Sequence, residues 1–75
     1  MKTPGYHINI FFSEEDHGFI ADIPDLAHCS AFGLTPQVAL AEVVRARDAW
    51  LSAARRAGKP LPKPRYRPAI YQVAK

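Results

Sequence analysis

Cys29 is the single cysteine in 75 residues. That excludes an internal disulfide and any zinc knuckle built on several cysteines, and it suits a reducing, cytoplasmic compartment better than secretion. Long apolar runs are missing too. His7, Asn9, Asp22 and Pro24 interrupt every apolar stretch within a few residues, far short of the roughly 20 that a membrane-spanning helix needs. Neither a spanning segment nor a membrane partner is expected. Lys2 leads into Pro4, Gly5 and a half-polar run, without the apolar core and small-residue cleavage site of a signal peptide. Finally, no acid lies beyond Asp48. Residues 1–50 hold seven acidic and three basic side chains, whereas residues 51–75 hold seven basic and none acidic, so the formal net charge of +3 conceals two opposed halves. A basic, acid-free segment reads first as a solubilising tail, next as a contact for an acidic protein surface and last as a contact for nucleic acid.

The length sets one domain over residues 1–75, which buries only about 60% of the surface its unfolded chain exposes. With no covalent staple, self-association as a dimer or tetramer, or a partner, is the expected support. Tyr6, Ile8, Ile10 and Phe12 alternate at period two, the pattern of a half-buried strand, after a tail at residues 1–5. Residues 19–23 answer it across a polar loop, Ser13 to Gly18, which reads as a hairpin connection with Gly18 free to take a positive φ. Pairing Phe12 with Phe19 sets Ile10 beside Ala21 and Ile8 beside Ile23 on one face, and Asn9 beside Asp22 on the other. A one-residue slip would turn the apolar set outward. Pro24 ends the second strand, and a short third strand fits residues 29–32 before Gly33.

Thr35-Pro36 predicts a helix start, with the threonine as N-cap and proline at the first helical position. The helix is expected to reach about Ala57, with Gly58 at C′ and Pro60 beyond. Ala39, Val43, Ala46, Trp50 and Ala54 form its inward line, with Leu40, Val44 and Leu51 beside it. Glu42, Arg45, Asp48, Ser52 and Arg55 lie opposite, and Arg45 can pair with both Glu42 and Asp48. Trp50 is the expected core anchor, sharing one interior with Phe12 and Ile23. Residues 58–65 carry Pro60, Pro62 and Pro64 and read as an extended tether. Residues 66–75 are an edge strand or tail, with a strand pattern over 66–73.

The pattern is poor in reactive chemistry. His28 and Cys29 adjoin in sequence, but neighbours in extended chain face opposite sides, so adjacency makes no dyad; a metal-dependent enzyme using them is the minority reading. His7, His17, His28 and Cys29 show no zinc-ligand spacing. Asp22 and Asp25, three apart across a proline, read as a solvated residue and a turn cap rather than a magnesium pair. No phosphate loop, dinucleotide fingerprint or nucleophile elbow is present. Catalytic residues, metal ligands and cofactors are therefore not expected. Arg55, Arg56, Lys59, Lys63, Arg65 and Arg67, with Tyr66 and Tyr71 interleaved, are the candidate nucleic-acid surface, a generic pattern of phosphate contacts and a stacking platform.

As a set, Phe19-Ile20-Ala21-Asp22-Ile23-Pro24-Asp25-Leu26, then Cys29, Gly33-x-Thr35 opening a helix at Ala39-Leu40, and Pro60-x-Pro62-x-Pro64 resemble the HicB antitoxin family from Tyr6 to about Pro64. The sequence departs from that pattern at Ala27-His28, where the family has Pro-Gly, at Leu34, and at Gln37-Val38, which replace two acids of the first helical turn. The resemblance implies an α+β domain of order β-β-β-α-β, an antiparallel sheet with one long helix on one face. This is similar to a partial RNase H-like fold without its nuclease chemistry. It also implies neutralisation of a small, basic, HicA-like ribonuclease toxin by protein–protein contact, in a chain without the family's C-terminal DNA-binding domain. One helix covers one face only, so Phe11 and Ile20 on the other are left for water or a partner. With Asp22 and Asp25 they are the candidate toxin contacts. The structural residues are Pro24, Gly33, Thr35, Trp50 and Gly58. A small RNA-binding homo-oligomer using residues 55 to 71 is the alternative.

Overall fold

The computed structural model describes residues 5–68. Strands β1 (Asn9–Ser13), β2 (Gly18–Asp22) and β3 (Ser30–Gly33) form an antiparallel sheet in that spatial order, followed by helix α1 (Pro36–Arg56). The fold is thus α+β, with three strands before one helix. The expected fourth strand at 66–73 has no strand structure over residues 66–68, and its remainder lies outside the described residues, as do residues 1–4 of the tail.

The hairpin register is the one the alternation dictates: Phe12 opposite Phe19, Ile10 opposite Ala21 and Asn9 opposite Asp22. β1 is shorter than the alternation suggested, starting at Asn9 and leaving Tyr6 and Ile8 outside the ladder. Gly18 does not turn the chain; His17 does, at φ 55°, with its amide donating to the Glu14 carbonyl at 3.3 Å. What Gly18 contributes is room. A Cβ there would stand 2.3 Å from Cζ of Phe32, whose ring lies over it.

Between β2 and β3 the chain doubles back tightly. The Ile23 amide donates to the Cys29 carbonyl at 3.0 Å, Leu26 to Ile23 at 3.1 Å and Cys29 to Leu26 at 3.2 Å. Closing this turn requires a left-handed residue, and His28 supplies it at φ 60°. A side chain in that region costs about 1–2 kcal/mol, partly offset against glycine's extra freedom in the unfolded chain. His28→Gly is therefore expected to raise the unfolding free energy by about 0.5–1 kcal/mol, read from the urea midpoint; a loss of stability would contradict the strain.

The helix begins and ends where the sequence places its caps. Thr35 is extended at φ −130°, ψ 160°, and its hydroxyl accepts the Val38 amide at 3.1 Å. At the far end Gly58, at φ 72°, donates to the Arg55 carbonyl at 3.0 Å, and Lys59 to Ala54 at 2.9 Å. This is the paired closure of a Schellman motif.

Ala39, Val43 and Leu51 are the buried helix positions, joined in the core by Tyr6, Ala21, Ile23, Leu26 and Cys29. Three expectations need correcting. Trp50 is half-buried and flanks this cluster, its indole N–H donating to the Ala27 carbonyl at 2.9 Å. Leu40 lies on the exposed side of α1. Phe12 is 55% exposed and stands outside the interior that Ile23 shares with Leu51, so the expected grouping of Phe12, Ile23 and Trp50 fails at Phe12. The cause is width. A helix about 10 Å across spans roughly two strands set 4.8 Å apart. α1 lies chiefly over β3 and β2, leaving β1 at the margin. Arg45 approaches Glu42 at 4.0 Å, but Asp48 pairs with Arg47 instead, at 3.1 Å.

After Gly58 the proline segment is fastened rather than free. Leu61 packs on the core, and the Tyr6 hydroxyl donates to the Pro62 carbonyl. Asp25 accepts the backbone amides of Arg65 and Tyr66, both at 3.1 Å. The Tyr66 ring lies 4.7 Å from the ring of His7.

Candidate interaction surface

Strand alternation decides which side chains meet and which are left over. Gly33 faces α1, since a Cβ there would come 2.3 Å from the Ala39 amide nitrogen. Its neighbour Phe32 therefore faces the opposite side of the sheet, the side without a helix. Phe11 pairs with Ile20 and Ile20 with Phe32, so these three form one row across all three strands on that open face. Phe11 is 51% and Phe32 42% exposed, and Ile20 is half-buried between them. The next row is polar: Asn9, Asp22 and Ser30 in register. At the other end of the strands stands the acidic turn Glu14, Glu15 and Asp16, all exposed. The Ser13 hydroxyl donates to the Asp16 carboxylate at 2.9 Å. The open face is thus an apolar row between a polar row that holds Asp22 and an acidic turn.

Of the residues singled out as protein contacts, the structure brings Phe11, Ile20 and Asp22 onto this face. Asp25 is elsewhere and occupied. Half-buried, it holds the strap of residues 59–67 through the two amides described above. Nothing local announces that role, because its partners lie 40 and 41 residues away in sequence. Phe32 was missed: a four-residue strand is too short for its alternation to be read, and its exposure follows only from the packing of Gly33.

Arg55 and Arg56 are exposed in the last helical turn, and Lys59, Lys63, Arg65, Tyr66 and Arg67 are exposed along the strap. The division of charge in the sequence becomes a division in space. The acidic turn stands beyond one end of β1, and the basic strap runs past His7 beyond the other. Burial raises the pKa of the Tyr6 hydroxyl, Asp25 pushes it further the same way, and Arg55 draws it back. The hydroxyl therefore keeps the proton it donates to Pro62. The stability this lends is complete below the ordinary tyrosine pKa of about 10 and is lost as pH rises above it.

Cys29 is buried while His28 is exposed. Burial pushes the thiol pKa up, Arg47 opposing, which favours the unreactive protonated form. Among the described residues no three His, Cys, Asp or Glu side chains gather into a group able to hold a metal. No described helix is long and apolar enough to cross a membrane. The clefts are shallow: one of about 330 Å³ lined by Trp50, Ala53, Ala54, Ala57 and Lys59, one of about 280 Å³ beside the turn at 22–30 and one of about 240 Å³ between residues 5–7 and the strap.

No protein-family model, curated protein or solved structure matches the chain.

Proposed function

We propose that the protein is a non-catalytic, homo-oligomeric binding domain of the antitoxin type, which neutralises a small basic ribonuclease by covering it. The supporting observation is the bare row Phe11, Ile20 and Phe32, in register across the whole sheet and bordered by Asp22 on one side and Glu14, Glu15 and Asp16 on the other. An apolar centre supplies the contact area of an interface and a charged rim selects the sign of the partner. A basic protein fits this rim.

The test is inhibition of RNA cleavage by a small basic ribonuclease, sought in the reading frames adjoining this one and titrated with the full-length protein; the absence of any such frame would count against the reading. Inhibition is expected to saturate at a fixed stoichiometry. Asp22→Lys is expected to weaken it about tenfold, the scale of one charge-assisted contact at a protein interface. Cleavage undiminished by micromolar protein would remove the reading.

A second reading is favoured by a different observation, the fastening of the basic strap to the body. Arg55, Arg56, Lys59, Lys63 and Arg65 are then carried on ordered backbone rather than on a loose tail. Binding of single-stranded RNA through five such charges would show a log–log salt slope of about −3.5, and it would be lost on changing Lys63 and Arg65 together. A flat salt dependence would dismiss it.

A further inference from the structure

The strap of residues 59–67 carries four basic residues, and three of them precede proline: Lys59-Pro60, Lys63-Pro64 and Arg67-Pro68. A bond to proline resists an endopeptidase that reads lysine or arginine, because the ring removes the N–H on the leaving side and restricts the residue before it. Arg65-Tyr66 is the exception. The other basic residues of the described chain lie in α1, where the helix itself holds the backbone amides; even beyond its last turn the Ala57 amide donates to the Ala53 carbonyl at 3.0 Å.

Arg65 and Tyr66 are both exposed, Tyr66 at 41%, so burial does not protect the bond between them. Hydrogen bonding does. A protease binds its substrate as an extended strand and pairs with its backbone. Here the Arg65 amide and the Tyr66 amide, which belongs to the bond in question, both donate to Oδ1 of Asp25 at 3.1 Å, and the Tyr66 amide also reaches Oδ2 at 3.2 Å. The Tyr66 ring is set against His7 at 4.7 Å. Upstream, the Tyr6 hydroxyl donates to the Pro62 carbonyl and Leu61 packs on the core. Residues 59–68 form neither helix nor strand, so lifting the strap breaks no ladder and requires less free energy than unfolding the sheet or α1. Pro64 keeps the lifted segment extended, the shape a protease binds.

We infer that Arg65-Tyr66 is a guarded cleavage site for an endopeptidase of trypsin-type specificity, shut while Asp25 holds the two amides and open once the strap lifts. The reaction is hydrolysis. The bond between the Arg65 carbonyl carbon and the Tyr66 nitrogen breaks, and water gives its hydroxyl to the carbon and a proton to the nitrogen. A carboxylate is left on Arg65 and an ammonium on Tyr66. Lys59, Lys63 and Arg65 stay on the body side of the cut, while Tyr66 and Arg67 fall beyond it. The site is separate from the open face of the sheet and stands or falls without the proposed function.

The deciding experiment is digestion of the full-length folded protein by trypsin, with the mass of each product identifying the cut. Where opening is fast relative to cleavage, the rate follows the population of the open strap. Asp25→Ala removes two hydrogen bonds to a charged acceptor and is expected to be cut after Arg65 at least tenfold faster than the wild type, while the bonds after Arg45 and Arg47 stay whole. Tyr6→Phe keeps the core ring, loses only the hydroxyl that holds Pro62, and is expected to be cut after Arg65 several-fold faster. Arg65→Gln is expected to leave the strap uncut in both backgrounds. A wild type cut first after Arg55 or Arg56, or an Asp25→Ala chain cut after Arg65 no faster than the wild type, would overturn the inference. So would cutting after Arg45 and Arg47 that keeps pace with cutting after Arg65 in both variants, since the whole molecule would then be opening and not the strap.

Discussion

Gly33→Ala is expected to lower the unfolding free energy by about 3 kcal/mol, at the upper end for overpacking. The added methyl would stand 2.3 Å from the Ala39 amide nitrogen and 2.8 Å from both the Ala39 Cα and the Val38 carbonyl carbon. All three are backbone atoms of the first helical turns. Relief requires lifting α1 off β3, and with it Ala39 and Val43 out of the core. A chain of 75 residues has roughly 4–11 kcal/mol of stability in all, so the variant should melt some 12–24 °C lower. Gly18→Ala is the matched control. Its methyl meets the far end of the Phe32 ring at 2.3 Å and the Gly33 carbonyl oxygen at 3.0 Å; a half-exposed ring can swing away, and the carbonyl need give only a few tenths of an ångström. The expected cost is about 1 kcal/mol. Equal losses at the two glycines, by thermal or urea denaturation, would show that the helix is not seated on Gly33.

Leu51→Ala is expected to cost about 3 kcal/mol, and Leu40→Ala less than 1 kcal/mol. The two leucines lie eleven residues apart on one helical line and look alike in sequence. Leu51 is 1% exposed and packs with Ile23 and Leu26, while Leu40 is 41% exposed. Truncating the first opens a cavity under the helix. Truncating the second removes a half-wetted side chain and substitutes the best helix former. Urea titrations of both variants check this, and a larger loss at Leu40 would mean that α1 is tilted so that its N-terminal turn, and not its C-terminal half, seats on the core.

Much of the fold was legible because several signals agreed residue by residue. Thr35-Pro36 and Gly58 marked the ends of α1 through cap chemistry that acts within four residues. The alternation at Ile10, Phe12, Phe19 and Ala21 fixed the hairpin because a slip would have reversed both strands. Local pattern could not convey breadth. Period two says that Phe12 and Phe11 face opposite sides, not that the helix touches β1 only at its margin and leaves both about half exposed. Nor could it convey distant fastening. Asp25, read as a turn cap and partner contact, holds backbone amides at Arg65 and Tyr66, and Tyr6, read as a strand residue, holds Pro62. Gly18 was read for its backbone freedom and is required for its lack of a side chain. The open face was half legible: Phe11 and Ile20 followed from the hairpin, whereas Phe32 needed the contact between Gly33 and Ala39.

The exposed apolar row is proposed as a working surface and not a poorly covered core, and Phe32→Glu separates these directly. Measured on the full chain, the variant is expected to stay folded, losing no more than about 1.5 kcal/mol of stability as befits a half-exposed side chain, while ribonuclease inhibition falls by more than tenfold. A variant that unfolds, or one that remains folded and inhibits as well as the wild type, would contradict the account.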